Sequence, residues 1–202
     1  LQDRVINDKS KIYSVFEYEL LKGLKILCNA AILISQHLLN KNQKAKDFKP
    51  NDDDISLTKT EACAIVCQFI NKFRDKVMKT VSGRNLDKFL LVLGTCLYHV
   101  IIEHVKSYQY NLTGAMILIN DVKEYQNIMK QFHIDRIDEI FLTLVERATL
   151  LSVPHDSLVE LITNDRKLKQ LSRDNLKTWL KLRNDYKANK LKESVLDKIA
   201  KK

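Results

Sequence analysis

Glycine and proline are scarce in this chain, with 4 Gly and 2 Pro among 202 residues. These two residues punctuate loops and interrupt regular elements, so their scarcity predicts long, unbroken helices. Sustained Val/Thr/Tyr alternation is missing too, which argues against sheet. The four cysteines, Cys28, Cys63, Cys67 and Cys96, form no Cys-x-x-Cys pair. All four lie in apolar stretches of helical character, where a free thiol behaves as a small hydrophobe. That excludes the disulfide framework of a small secreted domain and points to a reducing, cytosolic compartment. Long hydrophobic runs are lacking. Ile26 to Asn40 and Phe89 to Ile102 carry no Lys, Arg, Asp or Glu, but both fall short of the ~20 residues that a membrane span requires. Asp87, Lys88 and Glu103 close in on the second run, and no transmembrane segment is predicted. Leu1 opens the chain without a Met or a signal-peptide pattern, which reads as part of something longer. Asn111-Leu112-Thr113 is formally a glycosylation sequon, a triplet that in a cytosolic chain arises by chance.

Motifs for chemistry are also few. Gly83 and Gly94 stand alone, so no Gly-rich phosphate loop exists, and no Gly-x-Ser-x-Gly elbow occurs. His99 and Glu103 share a helix face, while His104 is turned ~100° away. The His-Glu-x-x-His arrangement of zinc proteases is absent, and so is the paired Glu-x-x-His of a di-iron bundle. The pattern fits a histidine at the edge of the core, satisfied by a carboxylate. Cys63 and Cys67 share a face as half of a zinc site would, but no second pair completes it, which leaves two buried thiols. The chain reads as a non-enzyme with no cofactor and no metal.

What is present is the pattern of an all-α protein. Apolar residues make up 45% of the chain, ordinary for a folded domain. Steps of three and four predict a first helix from Asp3 to Leu39, more deeply buried in its C-terminal half, which is apolar on more than one face. Lys41 to Asp54 breaks the pattern around Pro50 and reads as a mobile loop. Thr58-Lys59-Thr60-Glu61 has the form of a capping box opening a second helix to Val81, and Ser82-Gly83 ends that helix. Further helices are predicted over Leu86 to Lys106, Thr113 to Phe132, Asp135 to Leu151, Asp156 to Ile162 and Ser172 to Asn189. The last of these contains Trp179, expected to be buried, and lets Lys181 face Asp185 across one turn. Residues 1–82 read as one part of the helical bundle, 83–191 as a C-terminal bundle, and 192–202 as a basic tail that continues the helical spacing. Short connections between long amphipathic helices favour antiparallel packing.

Charge is unevenly placed. The formal net charge is +9, and residues 165–202 carry 13 Lys plus Arg against 5 Asp plus Glu, so +8 of it sits there. A concentrated basic end attracts anionic membrane, acidic protein or nucleic acid, against the plainer reading of a solvated face. Lys187, Lys190, Lys192, Lys198, Lys201 and Lys202 are the candidate residues for an anionic partner. Trp179 and Tyr186 are the aromatic residues there, and helical spacing suits them to packing rather than to stacking on bases.

One stretch carries more specific information. Asn111-Leu112-Thr113-Gly114 leads into an apolar segment, and Asp121 and Tyr125 follow at a four-residue interval. Pro154-His155-Asp156-Ser157-Leu158 comes next, then Leu182-Arg183-Asn184-Asp185-Tyr186-Lys187. In that order and spacing the chain resembles the C-terminal region of exocyst subunits of the Sec-ten type (exocyst complex component five). The resemblance implies stacked antiparallel helical bundles of the kind that build the rods of multisubunit tethering complexes. It implies a non-catalytic subunit that tethers secretory vesicles to the plasma membrane before fusion. It implies partnership with other exocyst subunits, chiefly the Sec-fifteen type, and through it an indirect link to a Rab GTPase. The location implied is cytoplasmic and peripheral at sites of exocytosis. A basic helical nucleic-acid-binding domain and an unrelated helical scaffold are the alternatives, with nucleic acid not expected.

Overall fold

In the computed structural model the chain is all-α. The structure describes residues 2–50, 58–165 and 168–186, with the backbone alone for residues 2–10. The helices are α1 (Gln2–Asn42), α2 (Glu61–Thr80), α3 (Gly83–Lys106), α4 (Leu112–Lys130), α5 (Asp135–Ser152), α6 (Leu158–Asn164) and α7 (Arg173–Leu180). Three short 3-10 turns, Ala45–Phe48, His155–Ser157 and Leu168–Gln170, join some of them. Among the described residues there is no strand, only one isolated parallel bridge between Tyr110 and Arg183.

A groove between Leu21–Asn29 of α1 and Asn85–Cys96 of α3 lies at one end of the bundle. At the other end Gln36–Asn40 meets Val100–Ser107. The two helices therefore run side by side in the same direction, with α2 returning along α1. One buried core runs from Leu24 to Tyr186 and crosses position 82 without a break. Leu93, Leu97 and Ile101 of α3, Leu118 and Met129 of α4, and Ile137, Phe141 and Leu144 of α5 form its centre. Gly94 lets α3 and α5 close up, because a Cβ there would overlap the Ile137 side chain. By length and composition α3 could cross a membrane, yet half of its apolar window is buried inside the bundle.

Three polar latches join elements that are far apart in sequence, and each departs from the sequence reading. The first concerns the segment expected to be a loop over 41–54, of which 51–54 lie outside the described residues. Helix α1 runs on to Asn42, and the following turn ends at Phe48, which is 1% exposed. Its ring lies 4.8 Å from that of Tyr110 and 5.4 Å from that of Tyr108. The Phe48 carbonyl accepts from the Asn111 amide at 3.2 Å. Asn111 in turn caps α4, its side-chain oxygen accepting from the Gly114 amide at 2.7 Å. Any Cβ at position 114 would strike the Phe48 backbone, so glycine is required there by close approach.

The second latch corrects the cap of α2. Thr60, not Thr58, is the N-cap, its hydroxyl oxygen accepting from the Cys63 amide at 3.1 Å. The buried Asp121 of α4 decides this. Its carboxylate accepts from the Thr60 amide at 2.7 Å and from the Thr60 hydroxyl at 2.8 Å. A capping box within one segment could not compete with a cap fixed from another helix.

The third latch shortens the last helix. Helix α7 ends at Leu180 instead of continuing to Asn189. The chain then turns, and Tyr110 is held from both sides: its amide donates to the Leu182 carbonyl at 2.8 Å, and its carbonyl accepts from the Asn184 amide at 2.9 Å. Arg183 is 2% exposed. Its guanidinium donates to the Leu150 and Val153 carbonyls at the end of α5, at 3.0 and 2.5 Å. It also forks onto Asp185, at 2.9 and 2.8 Å. Asp185 thus pairs with Arg183 rather than with Lys181. Trp179 is buried as expected, at 2% exposure.

Candidate interaction surface

Helix α1 carries three faces. Residues turn about 100° at each step along a helix. Leu24, Cys28, Ala31, Ser35 and Leu39 point into the bundle and are buried. Lys22, Lys25, Asn29, Gln36 and Asn40 form a polar stripe about a third of a turn from that face, most of it along the grooves against α3. About a quarter-turn from the buried face runs a second apolar stripe, Tyr13, Phe16, Leu20, Gly23, Leu27, Ala30 and Ile34, in alternating steps of three and four. Every one of these seven residues is exposed. Ile12, Ile26 and Leu33 widen the stripe and are exposed as well. At 1.5 Å per residue the stripe is about 32 Å long.

The exposure has a structural cause. Leu21 is already opposite Asn85, near the start of α3, and α2 stops at Thr80. The part of α1 before about position 20 therefore reaches past the ends of its two neighbours. Residues 11–23 are all exposed, with Tyr13 at 73% and Phe16 at 71%. The C-terminal half is more deeply buried than the first, as expected, but on one of its apolar faces: Ile26, Leu33 and Ile34 on the other remain at 63%, 64% and 44% exposure. The sequence signal was the charge-free run from Ile26 to Asn40. Periodicity alone could not say which apolar face the bundle would cover.

Three- and four-residue alternation of apolar positions is the seam of a helix-on-helix contact. Tyr13, Leu20, Leu27 and Ile34 are large, whereas Gly23 and Ala30 are small. A Cβ added at Gly23 would meet nothing within 4 Å. Small residues at such positions let a second helix approach closely while large ones fill the gaps beside it. An apolar surface of this length with a regular seam is what interaction sites look like.

The other candidate residues behave differently. Lys187, Lys190, Lys192, Lys198, Lys201 and Lys202 lie outside the described residues, as does the tail over 192–202. His99 is exposed and stacks edge-on to Tyr98 at 5.5 Å. Glu103 bonds Lys106 at 2.8 Å, so the expected His99–carboxylate pair does not form. The histidine at the core edge is His104, 3.4 Å from the Gln43 side-chain oxygen and stacked edge-on to Tyr108. Burial lowers its pKa to about 4. Cys63 and Cys67 are buried with sulfurs 3.9 Å apart, and the Cys63 thiol donates to the Asp121 carbonyl at 3.6 Å. The neighbouring Cys67 thiol first, and then burial, push the Cys63 thiol far up, so it stays protonated. Among the described residues no three His, Cys, Asp or Glu side chains converge as metal ligands.

Fold and surface together define a class: a helical bundle with an apolar docking face on one long, projecting helix. The chain belongs to the family described as exocyst complex component Sec10-like, alpha-helical bundle, which matches residues 1–195. It is 32% identical over 187 residues to human exocyst complex component 5, covering 92% of this chain and 26% of that protein. Exocyst complex component SEC10a of Arabidopsis thaliana is 28% identical over 172 residues, 84% of this chain and 20% of the relative. Exocyst complex component SEC10 of Saccharomyces cerevisiae is 27% identical over 153 residues, 76% of this chain and 18% of the relative. The chain thus spans about a quarter or less of the length of these curated relatives.

Proposed function

We propose that this chain is a docking bundle of an exocyst subunit, and that it helps to hold secretory vesicles at the plasma membrane before fusion. The observation that carries this reading, beside the family, is the open apolar seam on α1. A non-catalytic tether needs surfaces that take up other helices, and the seam is one. By resemblance its first candidate partner is the Sec-fifteen type subunit, which would supply the indirect link to a Rab GTPase. Cytoplasmic location, peripheral at sites of exocytosis, follows from the same reading.

Fully burying a Leu or Ile side chain stabilises by about 1.5–3 kcal/mol, and a buried unpaired charge costs more than that gain. The double variant Leu27→Glu, Ile34→Glu is therefore expected to reduce recovery of the other exocyst subunits by tenfold or more in co-purification from cells. Both residues are exposed in the bundle, so the circular dichroism spectrum should be unchanged. Undiminished recovery with an intact spectrum would remove the seam from the assembly interface.

The basic end adds a second proposed contact, with anionic lipid. Changing Lys190, Lys192, Lys198, Lys201 and Lys202 to Gln is expected to weaken binding to vesicles containing phosphatidylserine at low salt. Equal binding of the two proteins would leave the lysines as a solvated face.

A further inference from the structure

The groove between α1 and α3 contains two thiols from different helices. It measures about 510 Å³ and is mainly apolar, with Leu21, Leu24, Phe89 and Val92 among its walls and Lys25 and Lys88 beside them. Cys28 of α1 and Cys96 of α3 both line it. Both are free; Cys28 is buried at 4% exposure, and Cys96 is half-buried. Burial first, and then the neighbouring Cys96, raise the Cys28 pKa to about 11. The groove is open to solvent, so a small disulfide reagent has a route to Cys96.

We propose that Cys28 and Cys96 are a redox-sensitive staple, closed by glutathione disulfide into a bond that ties α1 to α3. The exchange runs in two steps. The more open Cys96, as its thiolate, attacks one sulfur of glutathione disulfide, and one glutathione leaves as the thiolate. Cys28 then gives up its proton and attacks the Cys96 sulfur, releasing the second glutathione. Two protein thiols are oxidised to one disulfide, and glutathione disulfide is reduced to two glutathione molecules. Cys63 and Cys67 are an internal control. They are close together, but they are at 0% and 4% exposure and do not line this groove.

The staple would act on the helix that presents the docking seam. Cys28 sits one position beyond Leu27, about two turns inside the point near position 20 where α1 passes the end of α3. A covalent tie there fixes the angle at which the projecting end of α1 stands. It also closes a loop containing the whole of α2, which restricts the unfolded chain and raises the melting temperature. The inference does not depend on what occupies the seam.

The experiment uses the native 202-residue chain, incubated with glutathione disulfide at pH 8, trapped with iodoacetamide and digested without reduction. The expected product is a linked peptide pair joining Cys28 to Cys96. Two thiols should be lost, the melting temperature should rise, and dithiothreitol should reverse both. Cys28→Ser should instead hold glutathione on Cys96, and Cys96→Ser should form no internal bond. A glutathione adduct on Cys96 of the native protein without the linked pair would overturn the proposal. So would linked peptides formed mainly through Cys63 or Cys67, or no reaction at all while the helical spectrum is intact.

Discussion

Arg183→Met is expected to destabilise the chain by roughly 3 kcal/mol or more, as measured by the urea midpoint. The guanidinium serves three partners at once: the Leu150 carbonyl, the Val153 carbonyl and the Asp185 carboxylate. The carbonyls belong to the end of α5, where a helix leaves its last acceptors without intrahelical donors. Removing the donor strands them, at about 1–3 kcal/mol for each buried group left unsatisfied. Asp185 retains 30% side-chain exposure, so water softens its loss of a partner. Methionine replaces most of the stem's packing, so the measured loss reports the donors rather than a cavity. Arg183→Lys should recover little, because a single ammonium cannot reproduce the planar fork onto Asp185 while also reaching α5. Typical domains have about 5–15 kcal/mol in total, so this one change should be visible as a large fall in melting temperature. A shift of the midpoint equivalent to less than about 0.5 kcal/mol would show that α5 finds other donors.

The second large effect is a dependence on pH through Asp121. Burial, more than any neighbouring charge, pushes its carboxyl from 3.8 up to about 6, against the Thr60 hydrogen bonds that pull the other way. A folded-state pKa above the unfolded one favours the neutral form in the fold. The stabilising contribution is therefore complete below about pH 4 and is lost as the pH rises through about 6. A displacement of this size corresponds to roughly 3 kcal/mol. Asp121→Asn cannot titrate and keeps an acceptor for the Thr60 amide. Unfolding of both proteins in urea at pH 4, 5, 6 and 7 separates this group from all the others. The native protein should lose stability relative to the variant across that range. Parallel curves would mean that Thr60 holds Asp121 ionised throughout. Asp121→Ala should destabilise at every pH, because the Thr60 amide at the start of α2 loses its acceptor.

The helices themselves were readable from the chain. Starts and ends for α3, α4 and α5 fall within a few residues of the expected positions, because scarce Gly and Pro and regular apolar steps leave little choice. Trp179 is buried among Leu176 and Leu180, as its neighbours implied. The motifs quoted for the family resemblance were also visible, but not the job of each. Asn111 and Gly114 seat Phe48, Asp121 caps α2, and Arg183 closes α5. Each is a contact between residues roughly 30 or more positions apart, and one-dimensional spacing does not encode a partner at that distance.

The docking seam marks the same boundary from the other side. The sequence by itself determined that α1 would be long, uncharged over Ile26 to Asn40, and apolar on more than one face. It determined the all-α class and the family, since both rest on residue order and periodicity. Only the tertiary structure decided that α2 and α3 cover Leu24, Cys28 and Ala31 and stop short of Tyr13, Phe16 and Leu20. It also decided that α7 breaks after Leu180, where bonds from Leu182 and Asn184 to Tyr110 outcompete one more helical turn. Helical propensity is worth tenths of a kcal/mol per residue. The burial and hydrogen bonds that override it are worth several times more, and they exist only once distant segments have met.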